Sequence, residues 1–197
     1  MTEIDRKKFY DSVRKSIFRG KLTQVQVEVM DKILDMTGDL TPNVRAYIFA
    51  TAWHESRMEP VREGFKKTDS QARAYVRRQG YKYAKQVNGH VYYGRGIVQL
   101  THYENYKAWG IENTPDKALE VGFAVKLLVV GMLDGRYNGK GKGIQYYLDR
   151  AKPDWKNARR TVNITDRWEL IKGYALKFKT ALNEAEQART APKPTPA

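Results

Sequence analysis

Two segments of the sequence carry side chains that suit acid–base chemistry in a cleft. The first is Trp53-His54-Glu55-Ser56, and the second is the run YYGRGIVQLT over residues 92–101. Together they offer a carboxylic acid at a predicted helix end and, after a long loop, a polar strand and turn. A cleft that cleaves glycans requires these parts.

Glu55 is the candidate general acid. It is predicted to lie at the C-terminal end of a helix, where the negative potential disfavours ionisation of a carboxyl. The nearby Trp53 and Phe49 would remove water from it. Both effects favour the protonated form that a general acid requires near neutral pH. The alternative is an ordinary surface glutamate that pairs with Arg57 or Arg45.

The His54-Glu55 pair does not extend to a zinc motif. The helical two-histidine motif needs a second histidine four residues after the first, and Met58 stands there. The other histidines, His90 and His102, lack ligand spacing. We therefore expect no metal ion and no other cofactor.

An inverting glycosidase also needs a second carboxylate, about 6.5–9.5 Å from the first, so that a water molecule fits between them. Glu63 follows Glu55 across a proline, in a loop that can turn back over the cleft. Glu59 and Asp69 are rivals for this role. The alternative for Glu63 is a charge that balances the basic residues around it.

The second segment places two glycines around an arginine, in Tyr93-Gly94-Arg95-Gly96. Glycine allows unusual backbone conformations and the close approach of a ligand. A dinucleotide-binding loop is excluded because Gln99 stands where its third glycine would be. In an extended segment Gln99 and Thr101 would face the same side, where they suit sugar hydroxyls or a held water. The alternative is a hairpin edge with solvated polar side chains.

Composition narrows the class of protein. The chain has 197 residues, of which 41% are hydrophobic, as expected for a globular domain with a core. The lack of cysteine excludes a disulfide framework, a thiol nucleophile and a cysteine-based zinc site, and it favours synthesis in a reducing cytoplasm. No apolar run near the N-terminus resembles a secretory signal, so we expect release by another route.

The formal net charge of +14 attracts polyanions, whether nucleic acid, acidic lipid or an anionic cell wall. A solvated basic surface without a specific partner is the alternative. The stretch from Arg73 to Tyr83 mixes basic and aromatic residues that suit base stacking and phosphate contacts. It carries no nucleic-acid-binding motif, and a solvated basic rim on a cleft is the better interpretation.

The elements that must position these residues are predicted to be mainly helices, from apolar residues at helical spacing and from capping residues, prolines and glycines. Helices are predicted over 4–18, from Thr23 to Gly38, from Thr41-Pro42 into Glu55, over 69–78, after Thr101, from Thr114-Pro115 to Leu133, over 143–150 and 154–162, and over 166–187 with Thr165 as cap. Residues 81–93, with Asn88-Gly89 near the centre, predict a small β-hairpin. The result is a single mainly α domain over 1–189 and a proline-rich disordered tail over 190–197.

The pairing of a helix ending in His54-Glu55-Ser56 with the motif over 92–101 resembles glycoside hydrolase family 19 of the lysozyme-like superfamily. That family holds chitinases and many bacteriophage endolysins. The resemblance is close over 46–109 and loose elsewhere, and the second motif is long and specific. It implies a lysozyme-like α-helical domain with one small β-hairpin.

The resemblance also implies roles for residues. Glu55 matches the general acid, Glu63 matches the base of the endolysin branch, and Thr101 matches the residue that helps to hold the nucleophilic water. The matching substrate-binding positions are Tyr93, Gln99, Asn105 and Asn163. The family's Val-Asn-Gly-Gly element continues here with Ile164-Thr165, and the cysteines of plant chitinases are absent. These departures weaken chitin as substrate more than they weaken the fold.

The implied function is a peptidoglycan hydrolase of the endolysin type, a muramidase that cleaves the β-1,4 bond between N-acetylmuramic acid and N-acetylglucosamine with inversion. Its partners would be peptidoglycan and the anionic outer membrane or lipopolysaccharide, with no specific nucleic acid, and it would act as a monomer. It would be made without a signal peptide in a host cytoplasm and reach the periplasm and cell wall through holin-type release. The alternatives are a chitinase and a non-catalytic basic protein that binds cell wall or nucleic acid.

Overall fold

The computed structural model describes residues 4–137 and 141–190, and this part of the chain is mainly helical. It is 62% helical, counting nine α-helices and four short 3₁₀ helices, and it has one two-stranded antiparallel sheet. The helices are α1 Arg6–Ser16, α2 Gln24–Thr37, α3 Pro42–Ser56, α4 Asp69–Arg78, α5 Tyr103–Ala108, α6 Val121–Asp134, α7 Ile144–Leu148, α8 Trp155–Ala158 and α9 Trp168–Thr190. The strands are β1 Val61–Arg62 and β2 Arg95–Gly96. The predicted mainly α class is therefore confirmed.

The chain forms two compact units. The first comprises the residues up to Ala50 and those from Gly131 onward, and the second comprises Thr51–Val130. The candidate residues Glu55, Glu63, Tyr93, Gln99, Thr101 and Asn105 belong to the second unit, whereas Asn163 belongs to the first. None of the helices within 4–137 and 141–190 has the length and apolar character to cross a bilayer.

The first unit has a core of stacked aromatic rings. Phe49 of α3 packs against Phe9 of α1 and Phe178 of α9, each with ring centroids 5.3 Å apart, and all three side chains are fully buried.

The predicted cap of α2 is confirmed: Thr23 and Gln26 form a reciprocal capping box that satisfies free amides at the helix start. Local polar chemistry thus fixes the start of α2, and apolar burial holds α1, α3 and α9 together.

The second unit has a small apolar cluster under α4. Ala72 and Val76 of α4 pack against Val91 and Tyr93, and all four side chains are buried. This packing explains why the predicted hairpin over 81–93 is wrong. Asn88-Gly89 does form a turn closed by one bridge between Val87 and His90, but the chain then enters the core, and residues 82–84 form a 3₁₀ turn.

The sheet pairs β1 with β2, with Val61 opposite Gly96 and Arg62 opposite Arg95. Its contacts also explain why no long helix starts at Thr114-Pro115. Residues Pro115–Leu119 form a 3₁₀ helix that packs on β2, and α6 starts only at Val121. A Cβ on Gly96 would lie 2.5 Å from the Ala118 carbonyl oxygen, so only glycine permits this contact.

The last helix also differs from its predicted bounds. Arg167 has a left-handed φ of 53°, and α9 starts after it, at Trp168, instead of at Asp166 behind a Thr165 cap. Asp166 instead pairs with the buried Arg159, with 3.7 Å between Asp166 Oδ1 and Arg159 Nε. α9 continues to Thr190, the first residue of the predicted tail, and the remainder of that tail, 191–197, lies outside the described residues.

Candidate active site

Glu55 is the penultimate residue of α3, as predicted, and it is half-buried. Its carboxylate oxygen Oε1 is enclosed by the fold. Directly after the helix, Arg57 and Met58 adopt left-handed φ values of 60° and 65°, and the Met58 amide donates to the Ala52 carbonyl. This reversal ends α3 and leads the chain into β1, so that Glu55 stands at a sharp turn.

The two arginines named as alternative partners of Glu55 each contact a further residue. Arg45 forms a buried ion pair with Glu186 in the first unit, at 2.6 Å. The guanidinium of Arg57 lies over the Trp53 ring, 5.0 Å from its centroid, in a cation–π contact. Trp53 therefore borders the turn that carries Glu55.

Glu63 directly follows β1, and its carboxylate accepts two hydrogen bonds. The Tyr83 hydroxyl donates to Oε1 at 2.6 Å, and the Gly94 amide donates to Oε2 at 2.7 Å. The Glu63 amide in turn donates to the Gly94 carbonyl at 2.7 Å. A carboxylate has about four acceptor positions, so capacity remains for a water molecule. The side chain is thus oriented without being saturated.

Tyr83 is suited to hold this carboxylate. Burial, together with the hydrogen bond to Glu63, raises the pKa of the Tyr83 hydroxyl above its ordinary value of 10.0. The hydroxyl therefore stays protonated and keeps donating near neutral pH. Its ring stacks on that of Tyr81, with ring centroids 5.0 Å apart, and packs edge-on against His102, with centroids 5.1 Å apart. These contacts fix the position of the Tyr83 hydroxyl.

The space around Gly94 disfavours a side chain at this position. A Cβ there would lie 2.8 Å from Gln99 Oε1 and 3.3 Å from Glu63 Oε2. The lack of a side chain therefore lets two polar groups approach the backbone closely. The close approach that the glycines predict for a ligand is made here by Gln99 and Glu63.

Gln99 does not lie in an extended segment, and this expectation was wrong. Reciprocal backbone hydrogen bonds between Arg95 and Leu100 close a tight turn, in which Gln99 has a φ of 54°. The Gln99 side-chain amide donates to the carbonyls of Val61, at 3.0 Å, and Gly96, at 2.9 Å. Its nitrogen therefore ties the turn to β1, and its role in binding substrate stays a prediction.

Thr101 and Asn105 lie at the exit of this turn. The Thr101 hydroxyl donates to the Gln99 carbonyl at 2.7 Å, which leaves its oxygen able to accept from a water molecule. The exposed Asn105 donates from Nδ2 to the Thr101 carbonyl, also at 2.7 Å. The chain that carries Thr101 is thus fixed from both sides.

Arg95 is the central residue that sequence reasoning missed. It is 1% exposed, and it donates from Nε to Asp116 at 2.8 Å and from Nη2 to Asp69 at 3.1 Å. Its guanidinium lies 3.6 Å from the centroid of the Tyr93 ring. The only signal in the sequence was the pair of glycines around it, which we interpreted as room for a ligand.

Tyr93 is fully buried, and its hydroxyl donates to Asp69 Oδ1 at 2.8 Å. Burial raises the pKa of this hydroxyl, which outweighs the opposing charge of Arg95. In the structure Tyr93 supports the wall behind Gly94. Its assignment to direct contact with substrate stays a prediction.

Asp69 is a weaker candidate for the base than Glu63. Burial would raise its pKa, but the Tyr93 hydrogen bond and the charges of Arg73 and Arg95 outweigh this effect and lower the pKa. Its oxygens contact Arg73 at 2.6 Å and Arg95 at 3.1 Å. Glu59 lies in the turn after α3, where its amide donates to the Ser56 carbonyl.

Asn163 is exposed in the first unit, after the 3₁₀ turn over Arg159–Thr161. Its side-chain carbonyl accepts from the Ile164 amide at 2.8 Å, which orients the side chain locally. Its contact with substrate stays a prediction.

No group of three or more histidine, aspartate or glutamate side chains in the described part of the chain has the spacing of a metal site. In comparisons with known proteins, no family, no curated protein and no solved structure matches this chain.

Proposed function

We propose that the protein is a peptidoglycan hydrolase with a lysozyme-like fold, a muramidase of the endolysin type. It cleaves the β-1,4 bond between N-acetylmuramic acid and N-acetylglucosamine with inversion. The observation that carries the proposal is the Glu63 carboxylate, held by the Gly94 amide and the Tyr83 hydroxyl in the segment that follows the Glu55 turn. A carboxylate oriented by two donors, with acceptor capacity left, suits the activation of a water molecule.

In this mechanism Glu55 is the general acid. It gives its proton to the glycosidic oxygen as the bond to the anomeric carbon breaks, and the leaving sugar departs as an alcohol. Because Glu55 is half-buried at the end of α3, its carboxyl is partly shielded from bulk solvent. Positive charge develops on the other sugar ring as the bond breaks.

Glu63 is the general base on the opposite face of that ring. It removes one proton from a water molecule while the water oxygen bonds to the anomeric carbon. The Thr101 oxygen accepts the second hydrogen of the water, since its own hydrogen is already donated to Gln99. Attack from the face opposite the leaving group inverts the configuration.

The remaining residues act on geometry and on the sugars. Gln99 supports the turn, and Tyr93 supports the packing behind Gly94. Both belong to the proposed substrate site. Asn105 and Asn163 are exposed amides that suit hydrogen bonds to N-acetylated sugars. The charge of +14 favours encounter with an anionic cell wall or outer membrane. We place the protein in host lysis, after holin-type release.

The test is digestion of purified Gram-negative peptidoglycan by the wild type, Glu55→Gln and the exposed control Glu28→Gln, with mass spectrometry of the fragments. We expect fragments with reducing N-acetylmuramic acid from the wild type and Glu28→Gln only. The first product should be the α-anomer by NMR, because inversion acts on a β bond. A β-anomeric first product would refute the inverting mechanism.

The same proteins are tested on colloidal chitin and on binding alone. Cleavage of chitin without cleavage of peptidoglycan would replace the proposal by a chitinase. Steeply salt-dependent binding without new reducing ends, unchanged in Glu55→Gln, would replace it by a non-catalytic binding protein.

A further inference from the structure

A cavity of about 760 Å³ opens in the second unit beside Arg95. Its wall includes Arg95 and Asp69, and its lining contains both cations and carboxylates: Arg73, Lys117, Asp116 and Glu120 take part. A volume of this size accommodates a ligand as large as a short peptide. The mechanism proposed above makes no use of this cavity.

The charges in the wall largely neutralise one another. Arg95 pairs with Asp69 and Asp116, and the second Asp116 oxygen pairs with Arg62. The rim is different, because Lys117 and Glu120 are exposed there and neither forms an ion pair with another described residue. The Lys117 ammonium lies over the Phe123 ring, 5.2 Å from its centroid, in a cation–π contact. The rim thus presents an exposed cation and an exposed carboxylate three residues apart in the chain.

This arrangement selects a ligand that carries both signs of charge. A polyanion would meet three carboxylates in the lining, and an apolar ligand would bury charged groups without compensation. A zwitterionic peptide can direct a carboxylate to Lys117 and an ammonium to Glu120 in charge-assisted hydrogen bonds.

The cavity and Glu63 share one short piece of backbone. The Gly94 amide holds the Glu63 carboxylate, and the next residue, Arg95, lines the cavity. A tripeptide spans about 10 Å when extended. The residue that holds the Glu63 carboxylate and a residue of the cavity wall are therefore consecutive in the chain.

We propose that this cavity binds the peptide of peptidoglycan through the free ammonium and carboxylate groups of that peptide. The inference rests on the proposed function and deepens it, because it assigns the peptide-bearing glycan, and not the bare glycan, as the substrate. Lys117 binds a peptide carboxylate, and Glu120 binds the ammonium of the diamino acid.

The first experiment is calorimetric titration of the soluble tripeptide L-Ala-γ-D-Glu-diaminopimelate into the wild type, Lys117→Gln and Glu120→Gln. Lys15→Gln and Glu28→Gln are controls of matched charge at exposed positions of the first unit. We expect each cavity variant to weaken binding by about tenfold, the value of one charge-assisted hydrogen bond, and the controls to bind as the wild type does.

A second peptide, acetylated at the diaminopimelate amine, identifies the group that Glu120 contacts. Acetylation should weaken binding to the wild type by a similar factor but should not weaken binding to Glu120→Gln further, as a double-mutant cycle requires. Equal affinities for the wild type and both cavity variants, or no binding of the tripeptide to the wild type, would overturn the inference.

Cleavage assays separate this inference from the proposed function. Glu55→Gln should bind the tripeptide as the wild type does, and the wild type should cleave intact peptidoglycan faster than glycan strands stripped of peptide by an amidase. Tripeptide binding without cleavage of either glycan would support the peptide site and refute the hydrolase. Equal cleavage of both glycans without tripeptide binding would refute the peptide site alone.

Discussion

Glu63 and Gly94 are joined by two hydrogen bonds of 2.7 Å, one from the Glu63 amide to the Gly94 carbonyl and one from the Gly94 amide to Glu63 Oε2. The first bond joins two backbones and the second joins a backbone to a carboxylate. The orientation of the carboxylate therefore depends on the backbone beside β2. A disturbance of this backbone should reach the base directly.

Gly94→Ala tests this dependence. The new Cβ would lie 2.8 Å from Gln99 Oε1, whose amide is held by two hydrogen bonds, so we expect destabilisation by about 1–3 kcal/mol and a lower kcat on peptidoglycan. The control is Gly122→Ala in α6, where a Cβ meets nothing within 4 Å. Thermal unfolding and turbidity assays measure both effects, and equal behaviour of the two variants would contradict the prediction.

Tyr83→Phe removes one donor from Glu63 and keeps the ring that stacks on Tyr81. We expect kcat to fall by about tenfold, which is the value of one hydrogen bond that orients the base, with KM little changed. Tyr81→Phe is the matched control in the same stack. If both variants lower kcat equally, the Tyr83 hydroxyl does not orient the base.

Glu63→Gln should identify the base. The amide keeps the size of the side chain but cannot take a proton from water, so we expect kcat to fall by about 10²–10⁴. Glu59→Gln should retain near wild-type kcat. Steady-state assays on soluble glycan fragments distinguish them, and the reverse result would transfer the role of base to Glu59.

Arg95→Met should be strongly destabilising. It removes the buried cation between Asp69 and Asp116, but these partly exposed carboxylates keep Arg73 and Arg62 as partners. We therefore expect a loss near the low end of the about 3–5 kcal/mol that breaking a buried pair costs. Arg62→Met removes a more exposed partner of Asp116, and we expect a loss of about 1 kcal/mol or less. Urea unfolding measures both, and a loss for Arg95→Met as small as that for Arg62→Met would show that the network adds little stability.

Asp69 should contribute to acid sensitivity. Its folded-state pKa lies below the ordinary value of 3.8, so the charged carboxylate stabilises the fold above that value, and this contribution is lost as pH falls through the folded-state pKa. The midpoint temperature of thermal unfolding should therefore fall more steeply below pH 3.8 for the wild type than for Asp69→Asn. Parallel curves for the two proteins would show that Asp69 does not carry this dependence.

Local patterns predicted part of the fold. The capping box of Thr23 and Gln26 and the position of Glu55 at the end of α3 follow from residues within one or two helical turns. The start of α6 did not follow, because it depends on the contact between Ala118 and Gly96. Helix spacing cannot show which segment will pack on a distant strand.

The candidate site, like the fold, was predictable only in part. The types of Glu55, Glu63 and Thr101 were visible in the sequence, but their hydrogen-bond partners were not. Arg95 pairs with residues 21 and 26 positions away, and its neighbours gave no indication that it would be buried. The alternation of Gln99 and Thr101 around Leu100 predicts a strand. The structure has a turn there instead, because backbone hydrogen bonds between Arg95 and Leu100 reverse the chain.

The buried guanidinium of Arg95 also governs how this part of the molecule opens. It is bonded at once to Asp69 at the start of α4, to Asp116 in the segment over 115–119 and to the Val91 carbonyl, while its own backbone belongs to β2. Separation of any one of these segments removes a hydrogen-bond partner from the buried Arg95 guanidinium, which costs free energy. Their amide protons should therefore exchange with solvent in one cooperative event rather than by independent fraying.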